Sequence, residues 1–155
     1  MKRRFLGFAV VLVGAAGMYG AQALGSSDVQ QIHGHLVSQA VTTGCTSPVG
    51  LCTAGRLEGV INGDFVFTAS SLQPSATPGV FFYTGEIVVT TNQGEVRCQD
   101  AGAYSFVDPS GPVVDLCTIT GGTGKYAGVS GHLRIHSTFT FAQGGDSHYE
   151  GTMTH

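Results

Sequence analysis

The 155-residue chain has no tryptophan, and charged residues make up only 11% of it. Three of its seven basic residues, Lys2, Arg3 and Arg4, sit together at the start. No basic cluster follows them. That excludes a surface for nucleic acid or anionic membrane, since both need grouped Lys and Arg. No apolar run beyond the first 18 residues approaches membrane-spanning length. No stretch holds a 3.6-residue apolar period, so long amphipathic helices are not expected. There is no G-x-S-x-G elbow or other nucleophile pattern, which leaves a hydrolase without support. No C-x-x-C pair is present, and this argues against a zinc site. The Gly-rich stretch lacks the G-K-[ST] ending of a phosphate loop. No cofactor motif is found.

What is abundant is glycine, 24 residues, with many Thr, Ser and Val, the composition of a β-rich exported protein. The first residues read as a signal peptide. Lys2, Arg3 and Arg4 form a positive start, Phe5 to Met18 is apolar, and Ala21-Gln22-Ala23 supplies the small-x-small cleavage pattern. Cleavage after Ala23 is predicted, leaving one domain over 24–155. No acid is lost with the segment, so formal net charge moves from −3 to −6. Cys45, Cys52, Cys98 and Cys117 all remain. In an oxidising compartment an even count predicts disulfides, with three connectivities open. Cys45–Cys52 and Cys98–Cys117 is the preferred pairing. The first would close a loop around Pro48 and Gly50, and the second would tie neighbouring strands.

Period-two alternation predicts strands over 31–42, 64–72, 80–91, 95–107, 113–120, 132–141 and 147–154. Loops or turns separate them at 43–54, 73–79, 92–94 and 108–112. A weak echo between Ala54–Gly59 and Thr123–Gly128 predicts a compact turn over 55–62 rather than a type I′ hairpin at Asn62-Gly63. Seven or eight antiparallel strands must hide their edges, and a small closed barrel does so.

Alternation also sorts the faces. Val96, Cys98, Asp100, Gly102, Tyr104 and Phe106 share the more apolar side of one strand. Val113, Asp115, Cys117 and Ile119 share that of the next. Leu133, Ile135, Ser137, Phe139 and Phe141 are predicted to point in, with His132, Arg134 and His136 out. Three polar groups, Asp100, Asp115 and Tyr104, thus fall on the apolar side. A buried carboxyl must be hydrogen-bonded, paired or protonated. Two of them near a phenol are candidate acid–base groups. The plainer alternative places either Asp at a barrel rim, bonded to turn amides or water. His33 and His35 share a strand face but lack a third ligand, and His132 and His136 lie about 13 Å apart along one strand. No metal site is predicted. Tyr83, Thr84 and Glu86 lie mid-strand, and the face of Glu86 is undecided.

The segment Ile119 to Gly131 carries five glycines in 13 residues. It reads as a sharp turn with a short irregular or 3₁₀ piece between two strands. It also resembles the Gly-Gly-Thr-Gly-Lys-aromatic-x-Gly-x-x-Gly turn of the allene oxide cyclase and dirigent barrels and their bacterial relatives. The run Ser147 to Gly151 is similar to that group too. The resemblance implies an eight-stranded antiparallel barrel holding a hydrophobic small molecule. Within that group, allene oxide cyclases cyclise an unsaturated epoxide and dirigent proteins steer radical coupling. Their site residues have no portable local motif, so none is carried over, and the turn supports fold alone. The export signal and the cysteines set this chain apart from cytosolic pathway enzymes.

Two functional expectations follow. One is a secreted barrel binding a small hydrophobic molecule in its lumen, with isomerase or cyclase activity as an extension. The other is a non-catalytic extracellular interaction module with a filled barrel. The partner expected in the first reading is a small hydrophobic ligand, and self-association into a homo-oligomer is the mark of the second. Nucleic acid is not expected, nor is a membrane after signal cleavage.

Overall fold

A computed structural model describes residues 28–155. The predicted signal segment, 1–23, lies outside them. Eight strands run in chain order: β1 (Val29–Ala40), β2 (Cys52–Gly59), β3 (Gly63–Pro74), β4 (Val80–Thr91), β5 (Gly94–Ser105), β6 (Pro112–Gly122), β7 (Ser130–Thr140) and β8 (Gly144–Thr154). Each pairs antiparallel with the next, and β8 pairs with β1 to close the barrel. Closure leaves no strand edge exposed.

Inward positions alternate as the sequence pattern demands. Ile32 and Leu36 of β1, Phe65 and Phe67 of β3, Ile87 and Val89 of β4, and Leu133 and Ile135 of β7 are all buried. Val96 and Cys98 meet Cys117 and Ile119 in the same core. Two shifts of register interrupt the ladders, between Ala69 and Ser71 on β3 and between Arg97 and Cys98 on β5.

One segment differs from expectation. Residues 55–62 are not a compact turn, because Cys52–Gly59 is a strand paired with both β1 and β3. Leu57 is buried while Arg56 and Glu58 point to solvent, so alternation governs here. The glycine spacing shared with 123–128 serves a different purpose in the two places. At Gly55 a side chain would run into the backbone of Val37 on β1, so glycine there allows close strand approach. The turn proper is 60–62. Asn62 does not take the left-handed conformation of a type I′ turn, since no described non-glycine residue has positive φ. Strand β2 also begins inside the loop predicted over 43–54.

The two ends of the barrel are built differently. At one end the glycine-rich turn folds inward. Its 3₁₀ piece, Gly124–Tyr126, is enabled by positive φ at Gly124 (58°) and Gly128 (79°). Tyr126 and Val129 tuck into the core beside Ile61. The Tyr149 hydroxyl donates to Ile61 O (2.9 Å) and accepts from Ile61 N–H (3.2 Å). This end is a filled floor. The other end is a mouth.

Candidate functional site

The loop beside the mouth, 41–51, is held in two ways. Cys45 is bonded to Cys52 at the start of β2. The Ser47 hydroxyl donates to Ala69 O (2.7 Å) and accepts from Leu51 N–H (3.2 Å). These contacts set Val49 to Leu51 over the opening. Behind the mouth lies a cavity of about 230 Å³. It is smaller than the roughly 300–1,000 Å³ of drug-sized sites. Its wall is mostly aliphatic and aromatic, with Leu36, Phe65, Phe67, Ile87 and Ile135 among the deeper residues.

Asp100, Asp115 and Tyr104 all line this cavity. The two carboxyls lie on adjacent strands: Asp100 faces Cys117 in the β5–β6 ladder, and Asp115 faces Gly102. Cys117 is bonded to Cys98, with Cα atoms 5.7 Å apart, so a disulfide ties β5 to β6 beside Asp100. Asp100 is 5% exposed, and its Oδ1 is buried with no hydrogen-bond partner among the described residues. Burial first, and then the nearby Asp115 carboxylate, push the Asp100 carboxyl up to about 8, against a smaller pull from the Ala101 backbone N–H. Burial pushes Asp115 up to about 6, opposed by the hydrogen bond it accepts from Tyr83. Burial thus holds both carboxyls above the ordinary carboxylate range, and the repulsion between them favours keeping a proton on the pair.

Tyr104 is in the cavity but not with the acids. Its hydroxyl donates to Phe139 O at 3.1 Å. Its ring belongs to an aromatic rim, 4.4 Å from Phe106 and 6.3 Å from Phe141 between centroids. The expectation that Tyr104 is the phenol beside the carboxyls is thus corrected. Phe106 and Phe141, expected to point into the core, sit past the strand ends and are 50% and 54% exposed. They edge the mouth and leave the lumen open.

The phenol that meets the acids is Tyr83, on β4. Gly102 lies between the two residues in the sheet, facing Tyr83 on one side and Asp115 on the other. A Cβ at Gly102 would collide with both the Tyr83 hydroxyl and Asp115 Oδ1. Glycine there opens the gap through which Tyr83 donates to Asp115. Burial, then the carboxylates, hold the Tyr83 hydroxyl far above its ordinary range, so it acts as a donor at physiological pH. The sequence carried a usable signal: Tyr83 shares its strand face with Gly85, Ile87 and Val89, an apolar set. On the opposite wall, Ser147 donates to Ser137 at 2.6 Å, and Ser38 is buried nearby.

No family model matches the chain, and no curated protein matches it. Among solved structures it is similar to the pterocarpan synthase dirigent protein PsPTS1, at 12% identity and a TM-score of 0.45. That match covers 82% of this chain and 94% of that one. The pterocarpan synthase dirigent protein GePTS1 is similar at 10% identity and a TM-score of 0.45, covering 97% of this chain and 96% of that one.

The histidines lie on the outer wall. His35, His148 and His136 form one row across β1, β8 and β7. His35 and His148 have ring centroids 5.3 Å apart, and His35 Nε2 donates to Asp146 at 2.5 Å. His33 stands two residues away on the same face. Among the described residues, no three His, Cys, Asp or Glu side chains converge on a metal-sized centre.

Proposed function

We propose that this chain is an exported barrel that binds a small, largely apolar molecule in its lumen and performs acid–base chemistry on it. The observation that carries the reading is the orphaned Asp100 carboxyl, buried at the wall of an open apolar cavity that Asp115 also lines. Buried polar groups are almost always partnered, and an unsatisfied one costs about 1–3 kcal/mol. A bound molecule supplying the partner accounts for it. With both carboxyls raised above their ordinary range, the pair can give a proton and take one. Such a pair serves a redox-neutral isomerisation or cyclisation, in which a proton leaves one carbon and another is returned elsewhere. Two disulfides fit an oxidising compartment, in agreement with the export-signal pattern at 1–23.

The test is calorimetric titration of the disulfide-bonded protein with small apolar alcohols and enones, followed by product analysis for whichever compound binds. Asp100→Asn and Asp115→Asn should each lower turnover at least about 100-fold. Turnover unchanged in both variants removes the carboxyls from the chemistry. Absence of binding by every compound removes the pocket.

The interaction-module reading has one observation in its favour. Phe82, Val114 and Leu116 expose apolar side chains on the outer face of β4 and β6. Exposed apolar patches mark contact surfaces. Sedimentation velocity checks this reading, and a monomer at high micromolar concentration counts against self-association.

A further inference from the structure

We propose that the molecule this lumen takes is a small apolar amine in its protonated form, its ammonium held by the Asp100–Asp115 pair and its hydrocarbon by the aromatic and aliphatic wall. This rests on the pocket reading above and names the ligand class within it.

The argument starts from charge. The titratable groups lining the cavity are Tyr83, Asp100, Tyr104 and Asp115. No Lys, Arg or His is among the lining residues. Buried charges in proteins are paired or coordinated, because an isolated one is penalised by desolvation. Tyr83 supplies Asp115 with one neutral donor but no countercharge. Whenever a carboxyl of the pair ionises, no other group on the cavity wall neutralises it.

Hydrogen-bonding capacity points the same way. Asp100 Oδ1 accepts nothing among the described residues. An ionised carboxylate has about four lone-pair sites, and Tyr83 occupies one of those on Asp115. The wall thus offers several free acceptors in one place. An alkylammonium carries three donors and a positive charge on one atom. An alcohol would satisfy one acceptor and leave the charge. A carboxylic acid would bring its own negative charge against the pair.

The route in favours a cation as well. Tyr104, Phe106, Phe139 and Phe141 form a contiguous cluster at the mouth, with Phe106 and Phe141 stacked at 6.1 Å. Aromatic faces attract cations while accepting hydrocarbon. Volume limits the ligand to a compact molecule, since the cavity is about 230 Å³.

The test compares three isosteric probes by calorimetry on the disulfide-bonded protein: 4-phenylbutylamine, 4-phenylbutan-1-ol and 4-phenylbutanoate. At pH 8 the amine should bind at least about tenfold tighter than the alcohol, as charge-assisted hydrogen bonds require. The carboxylate should bind most weakly. An alkylammonium, like lysine, stays charged down to pH 5, whereas the aspartate pair gains protons over that range. The amine's advantage should therefore shrink at pH 5. In the Asp100→Asn, Asp115→Asn double variant the alcohol should still bind and the amine's advantage should vanish. Alcohol equal to or tighter than amine in the unmodified protein at pH 8 overturns the proposal and leaves the pocket reading standing. A persistent amine preference in the folded double variant also overturns it. If none of the three probes binds, the pocket reading falls and takes this proposal with it. The comparison in the unmodified protein decides the matter even where a variant fails to fold.

Discussion

Tyr83 donates its hydroxyl hydrogen to Asp115 across Gly102, reaching over the strand that separates them. The glycine makes the bond possible, because any side chain there would occupy the space in which the two groups meet. Gly102→Ala should therefore push the phenol and carboxyl apart and strain β5. Overpacking of this kind costs about 1–3 kcal/mol. Urea melts should show that loss, and probe binding in the lumen should weaken with it.

Tyr83→Phe isolates the hydrogen bond from the packing. The ring stays and the donor goes. The bond lowers the Asp115 pKa, so its removal should raise it further. Carboxyl-carbon NMR titration should show the Asp115 midpoint moving to higher pH, and any turnover should need a more alkaline medium. A midpoint that stays in place or falls would mean that the bond does not govern Asp115. The unpaired carboxylate should also cost about 1–3 kcal/mol of stability.

Stability should depend on pH in the direction opposite to most acidic proteins. Asp100 and Asp115 have folded-state pKa values raised to about 8 and about 6. Between roughly pH 4 and pH 8 the folded state thus holds more protons than the unfolded chain. Stability contributed by the pair is present below the unfolded carboxyl pKa, near 4, and is lost as pH rises through the folded values. One retained proton corresponds to a slope of about 1.4 kcal/mol per pH unit. Melting temperature should accordingly rise on going from pH 8 to pH 5. In Asp100→Asn most of that rise should disappear, which thermal scans at the two pH values can check.

The two ends of the barrel should respond separately. Removing the Cys45–Cys52 bond by paired Ser substitution opens a short loop and should cost about 2.5 kcal/mol in the chain-entropy model. It also frees Val49 to Leu51 at the mouth, so a lumen probe should dissociate faster. Tyr149→Phe acts at the floor instead. It leaves both Ile61 N–H and Ile61 O without their partner, at about 1–3 kcal/mol. Probe affinity, measured where both forms are folded, should be unchanged. Equal effects of the two changes on probe affinity would mean that the cavity is not confined to the mouth half.

Much of this architecture could be read along the chain. Alternation assigned the inward faces of β5, β6 and β7, and the cysteines of β5 and β6 fell on the same side. The glycine-rich segment announced a corner and a short 3₁₀ piece. The error at 55–62 came from spacing without context. Glycines mark corners in one place and close strand approach in another, and Gly55 lies against β1. Tyr104 was paired with the acids because all three share an apolar face. A shared face does not specify height along the barrel axis, and Tyr104 stands at the rim.

Facing is a local property: a pleated strand turns successive side chains to opposite sides, so composition at every second residue tells inside from outside. Meeting is not local. Tyr83 and Asp115 are 32 residues apart, and the offsets of β4 on β5 and β5 on β6 bring them to one height. His35, His148 and His136 align for the same reason, through the pairing of β1, β8 and β7. Closure adds the last element, because a curved wall takes the Asp100 carboxyl away from bulk solvent and turns it toward the cavity. The period-two pattern sets the sidedness of each residue; strand offset and closure set its neighbours and its solvation.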